Sequence, residues 1–206
     1  MNIPVIYHDK WFLVVDKPSG LLTVPTAKKE SRTLSGILNQ EFPDPNSHLY
    51  PCHRLDRDTS GLIIYAHGKL AREKMEELFR ARKLKKTYIA FAQGDFKTAQ
   101  GVIDRPIEGL RSITEYKVLE KSGIFNLVQV YPATGRTNQI RIHFKAIGCP
   151  ILGDTKFYFR RDFKIKAKRL CLHAYSIEFI HPFNNEKISL TCDLPDPMQK
   201  MLDKLC

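Results

Sequence analysis

A chain of 206 residues, 43% hydrophobic and 27% charged, can bury one substantial core and lies far from disordered or fibrous compositions. Lys plus Arg outnumber Asp plus Glu by 33 to 22, a formal charge of +11, and a pI near 9.5 favours a polyanionic partner, nucleic acid first, over an acidic one. No stretch reaches a membrane-spanning length and the N-terminus has no leader-like apolar core, which predicts a cytoplasmic protein without a membrane partner.

Residues 3–7 and 11–16 are short apolar stretches joined at His8-Asp9-Lys10 and followed by Pro18-Ser19-Gly20, the pattern of a β-hairpin ending in a turn. Ser31 and Thr33 can cap a helix running to about Phe42, where a Pro-Asp-Pro-Asn cluster stops it. The continuous apolar run 62–66 has the length and β-branching of a buried strand. Helix is expected from Leu70 to about Arg82, with Leu70, Met75, Leu78 and Phe79 as its apolar stripe and basic residues gathered at its C-terminal end. Residues 88–92, 102–104, 114–119 and 125–131 run or alternate apolar over strand lengths, and Lys121-Ser122-Gly123 supplies a hairpin turn, so an antiparallel meander is expected. Ile140, Phe144 and Ile147 sit at helical spacing within 137–147, which closes on Gly148 before Pro150. Residues 170–180 and 187–192 return to strand, and 197–205 form a short terminal helix. Many strands with few helices between them indicate an α+β architecture in a single domain over 1–206, without internal repeats.

The five cysteines are scattered and form no CxxC pair, so they read as reduced thiols packed like small apolar side chains. Cys171 and His173 share a strand face but bring no third and fourth ligands, so no metal is expected. Two basic runs, 69–86 and 156–169, add weight to phosphate contact, although either alone reads as a solvated face.

The densest polar constellation is His53-Arg54-Leu55-Asp56-Arg57-Asp58-Thr59-Ser60-Gly61, a loop placed directly before the buried strand 62–66. Loops mounted on rigid strands commonly carry catalytic groups. Arg54 and Arg57 flank Asp56 and favour its ionised form. Such a carboxylate can act as a nucleophile, a metal ligand or half of a structural ion pair. A second cluster, residues 134–143, opens a helix where exposed amides with Arg136 and Arg141 suit phosphate; its alternative is a polar helix start paired with surface acids. Tyr88 enters a strand straight after a basic run, a position that packing alone can also explain.

The segment HRLDRDTSGL resembles the signature loop of the RluA-type pseudouridine synthases, HRLDxxTSGL. Further stretches follow in family order: DKPSGLLTVP, KKTYIA, TGRTNQIRIH, PILGD and LCLHA. The resemblance implies a single-domain RNA pseudouridine synthase, an isomerase. Its implied fold is an α+β catalytic domain with a curved, mixed and mostly antiparallel sheet, flanking helices and a central cleft. It implies Asp56 as nucleophile, Tyr88 as the aromatic that contacts the target base, and Arg141 as the partner of Asp56. Arg54 would reach toward the displaced nucleotide and Leu152 would pack under the base, with His53, Arg57 and Arg136 joining in substrate binding. Because the product is an isomer of the substrate, no cofactor or metal is implied. The implied partner of this monomer is a ribosomal or transfer RNA stem-loop from which the uridine is flipped.

The sequence departs from the family pattern in places. No S4-like domain is expected ahead of the catalytic pattern, residues 108–113 replace a longer basic loop, Phe157 stands where tyrosine is common, and Asp58 adds a carboxylate to the signature. Two alternatives compete: a non-catalytic RNA-binding or ribosome assembly factor on the same fold, and a metal-dependent nuclease using Asp56 and Asp58. Retention of Asp56, Tyr88 and Arg141 together argues against the first, and the lack of further clustered carboxylates against the second.

Overall fold

A computed structural model describes residues 2–28, 30–44, 48–158 and 165–203. In chain order the elements are β1 (Val5–His8), β2 (Phe12–Lys17), α1 (Leu34–Glu41), β3 (Leu49–Pro51), β4 (Ser60–His67), α2 (Gly68–Arg80), β5 (Lys85–Ala92), β6 (Gln100–Asp104), β7 (Ile113–Lys121), β8 (Asn126–Pro132), α3 (Gln139–Ala146), β9 (Leu172–Ile180), β10 (Lys187–Thr191) and α4 (Asp196–Leu202). The fold is α+β, as the sequence implies. The chain divides into two compact units, residues 1–85 with 174–192, and residues 86–173 with 193–206.

In the first unit the strands run in the order β1-β2-β4-β9, with β3 also paired to β4 and β10 to β9. The β1/β2, β2/β4, β3/β4 and β9/β10 ladders are antiparallel. β2 and β4 are buried on both faces, which is why they read as continuous apolar runs without alternation. Their register runs from Phe12 opposite Ala66 to Lys17 opposite Gly61, so β2 ends where the signature loop enters β4. Gly61 has φ +112° and a Cβ there would run into the backbone of Ala174, so no other residue fits at this junction.

Thr33 caps α1 through Gly36 N–H donating to its Oγ1 at 3.2 Å. α2 presents Ala71 and Met75, with Leu78 and Phe79 behind them, to the core of Phe12, Val14, Leu62, Ile64 and Phe179. Leu70 does not belong to that stripe. It is 55% exposed, because one residue's rotation from Ala71 turns it off the core face. Arg72 pairs with Glu76 and Lys74 with Glu77 on the outer face, while Arg80, Arg82, Lys83 and Lys85, which form no ion pair among the described residues, gather exposed at the helix's C-terminal end.

In the second unit the order is β5-β8-β7-β6, every ladder antiparallel, as the expected meander requires. Phe96 and Phe144 meet edge-on beneath the sheet at 5.8 Å, and Phe91 stacks on Phe125 at 4.6 Å. α3 buries Ile140 and Phe144 but also Gln139, Arg141 and His143. Ile147, expected on its apolar stripe, is the C-cap residue and 38% exposed, since the helix has ended before it. α4 covers 196–202, so residues 204 and 205 of the expected terminal helix lie outside the described residues. So do residues 159–164 of the second basic run. The thiols of Cys52, Cys149, Cys171 and Cys192 are buried and unbridged, and burial pushes that of Cys149 up to about 11 and that of Cys171 up to about 12.

Candidate active site

The signature loop is shaped by a second segment some forty residues upstream in the chain, residues 17–23. Thr23 Oγ1 donates to the Leu55 carbonyl at 3.0 Å and accepts from Leu55 N–H at 3.3 Å. The Arg57 carbonyl receives Gly20 N–H at 2.8 Å and the Lys17 ammonium at 3.0 Å. Ser19 Oγ donates to the Asp58 carbonyl at 2.7 Å. Within the loop, Thr59 N–H closes a turn onto the Asp56 carbonyl at 3.2 Å. Asp56 is thus half-buried on a backbone fixed at residues 55, 56, 57 and 58.

Lys17 is the residue that reading from sequence overlooked. Its side chain is fully buried, and its ammonium donates to the carbonyls of Pro18 at 2.9 Å and Leu21 at 2.7 Å as well as to Arg57. A buried cation persists where its donors are met, and the Pro18-Ser19-Gly20 turn wraps its carbonyls around this one. The available signal was positional: a strand whose first four residues are apolar on both faces must carry its terminal Asp-Lys into the interior too.

The other predicted residues of this unit divide by role. Arg54 is exposed. Arg57 is exposed at its tip, and its Nε donates to the Gly20 carbonyl at 3.1 Å, which closes a reciprocal bridge between the two segments. His53 is turned inward: Nε2 accepts Ile64 N–H at 3.0 Å and the ring lies against Phe79 at 5.1 Å. That acceptor role fixes the neutral Nδ1–H tautomer and makes His53 a strut between the loop and β4.

The second unit carries Tyr88, Arg136, Arg141 and Leu152. Tyr88 lies on β5 opposite Val130, 8% exposed. Leu152 is fully buried, its N–H donating to Phe91 and its carbonyl accepting from Cys171. Arg141 is buried on α3 and forks onto Asp154, Nε to Oδ2 at 2.9 Å and Nη2 to Oδ1 at 2.8 Å, while Nη1 donates to Asn138 Oδ1 at 2.7 Å. Asp154 is buried; burial alone would raise its pKa, but the Arg141 guanidinium and the N–H groups of Phe157 and Lys156 hold it below the ordinary carboxylate value. Arg136 is exposed, whereas its amide is already used, donating to Gln139 Oε1 at 3.0 Å. Gln139 thereby caps its own helix from within, so Arg136 has only its side chain to offer phosphate.

Comparison with known proteins decides the family. A profile described as RNA pseudouridylate synthase matches residues 11–146. The chain belongs to the RNA pseudouridylate synthase family. It is 36% identical over 206 residues to the dual-specificity RNA pseudouridine synthase RluA of Yersinia pestis, covering 92% of this chain and 98% of the relative. The RluA of Pasteurella multocida (strain Pm70) is 34% identical, with 92% of each chain covered. Among solved structures, human RNA pseudouridylate synthase domain containing 4 superposes with a TM-score of 0.83 at 25% identity, over 98% of this chain and 92% of that one. Human RNA pseudouridylate synthase domain containing 1 gives 0.76 at 27% identity, over 99% and 87%. This synthase is therefore an isomerase acting on RNA, and the reading as a binding factor without catalysis is not favoured. Among the described residues no helix is long and apolar enough to cross a membrane.

Proposed function

We propose that the chain isomerises specific uridines in structured ribosomal RNA, transfer RNA or both, with Asp56 as nucleophile and Tyr88 and Arg141 as further catalytic residues. The observation that carries this reading is the frame of the signature loop: the backbone at 55, 57 and 58 is held by residues 17–23, which presents one half-buried carboxylate in a defined place. A nucleophile must meet the reacting atom in a narrow geometry, and a loop pinned on both sides of Asp56 supplies that. The naming of similar proteins as dual-specificity synthases supports more than one RNA substrate.

In the reaction the N1–C1′ bond of uridine breaks, the uracil turns while still bound, and C5 bonds to C1′; C5 releases its proton to water and N1 takes one up from water. No atom is gained or lost overall, so no cofactor or metal enters the balance. The target must leave its stack to reach Asp56, and exposed Arg54 with the basic cluster at the end of α2 would grip phosphates around it. Arg57 and Arg136 offer further cationic contacts, and Leu152 a buried apolar floor near the base. The protein is read as a cytoplasmic monomer.

Tritium release from ribosomal and transfer RNA transcripts labelled at C5 of uridine tests the reading. Wild type is expected to release tritium without added metal, and Asp56→Asn to bind the same RNA with less than 0.1% of that rate, by about the three orders of magnitude typical of losing a covalent catalyst. Turnover by Asp56→Asn near the wild-type rate would exclude Asp56 as nucleophile.

A further inference from the structure

Arg141 is one of the proposed catalytic residues, and what aims its side chain lies within its own unit. We propose that Asp154 is a positioning residue for Arg141, holding its guanidinium plane in the one orientation in which Arg141 acts. The inference rests on the proposed roles of Asp56 and Arg141 and extends them to a third charged group.

The geometry is specific. Asp154 takes the Nε and Nη2 edge of Arg141 with both oxygens, at 2.9 and 2.8 Å, in a bidentate fork that fixes the plane as well as the distance. Asn138 Oδ1 receives Nη1 at 2.7 Å from the preceding turn of chain. Three separate contacts therefore set the orientation of a group whose side chain is 4% exposed, against a carboxylate 2% exposed. The Phe157 ring lies 5.0 Å from the guanidinium carbon and covers one face.

Asp154 is itself immobilised. Its Oδ1 also accepts the N–H groups of Lys156 at 2.9 Å and Phe157 at 3.1 Å. Gly153 before it has φ +75°, and a Cβ there would run into the Arg169 carbonyl, so the turn that delivers Asp154 is locked against a neighbouring stretch of chain. Asn138 sits at φ +56°, a left-handed conformation that asparagine tolerates better than most residues and that aims its side chain back at Arg141. Buried charge pairs are seldom the most stable way to fill a core, which leaves orientation as what this one provides.

The test is Asp154→Asn, which keeps size and shape but turns one acceptor of the fork into a donor facing an N–H. It is assayed by tritium release beside wild type and Asp56→Asn, at a temperature where circular dichroism shows it folded. The expected result is a kcat lower by 10- to 100-fold with KM and RNA affinity within about twofold. Unchanged kcat overturns the proposal, and so does a joint loss of kcat and affinity, which marks a merely structural role. If Asp154→Asn does not fold, Asn138→Gly, which keeps the left-handed backbone and deletes the Nη1 acceptor, is expected to lower kcat alone, and wild-type kcat there overturns the proposal. Activity in Asp56→Asn would instead refute the underlying assignment of the nucleophile, so the two failures are told apart.

Discussion

Lys17→Met removes the ammonium from beneath the signature loop while keeping most of the side chain's volume. The ammonium makes three hydrogen bonds to main-chain carbonyls, those of Pro18, Leu21 and Arg57. The Arg57 carbonyl keeps the Gly20 N–H, but the Leu21 carbonyl is left facing an apolar group in the interior. Hydrogen bonds from a charged donor contribute about 1.5–3 kcal/mol each, and the lower figure applies where three share one ammonium. Discounting the half-buried Pro18 carbonyl, which water can reach, the loss comes to about 3–4 kcal/mol. With a urea dependence of about 2–3 kcal/mol per molar, the unfolding midpoint should fall by about 1.5 M. The chain's single tryptophan, Trp11, stacks on Phe183 at 3.9 Å in the same unit, so its fluorescence reports the relevant transition. In the folded variant, tritium release should drop at least tenfold as the loop loses its frame. A midpoint within 0.3 M of wild type, or full activity in the variant (on the order of the resolution of such a titration), would refute the claim that Lys17 holds the loop.

Two other outcomes follow from packing and protonation. Gly153→Ala adds a Cβ against the Arg169 carbonyl at a φ of +75°, so it should cost more than about 4 kcal/mol and leave little soluble protein; a well-folded variant melting near wild type would refute the close approach. Burial holds both His143 and His67 below the ordinary histidine value, with His8 adding to the effect at His67. Folding is thus favoured by the neutral rings above about pH 6.5, the unfolded-state value, and that contribution is lost as pH falls below it through the depressed folded values. Urea midpoints should decline from pH 7.5 to 5 with a slope of at most about 1.4 kcal/mol per pH unit for each site, and His67→Gln should flatten it. An identical slope in that variant would remove His67 from the account.

Much of the architecture was legible because its signals are local. Residues 62–66 are buried on both faces and read as a solid apolar run, and the hairpin turn at Ser122-Gly123 is set by a glycine at φ +74°. Helix faces were read less well. Hydrophobicity placed Leu70 and Ile147 inside, but the phase of α2 and the early end of α3 put them outside. The opposite error concerns α3, where Gln139, Arg141 and His143 are buried because each finds a polar partner that no spacing rule announces. The short strand β3 went unread, since three residues pair only because β4 offers an edge. The signature loop stood out through its density of charge, whereas its supports did not: Lys17 resembles any surface lysine, and Asp154 any turn aspartate, until the chain is folded.

The grip on the signature loop has a consequence for redesign. Residues 17–23 hold Leu55, Arg57 and Asp58 by their carbonyl oxygens, a group every amino acid carries. Side chains at 54 and 58 are therefore interchangeable without loss of the scaffold, whereas Arg57 also clasps the Gly20 carbonyl with its own side chain. A combinatorial library over 54 and 58 could retune which RNA is accepted while the carboxylate at 56 stays put, whereas the same randomisation at 17, 19 and 23 would erase the register on which every member depends.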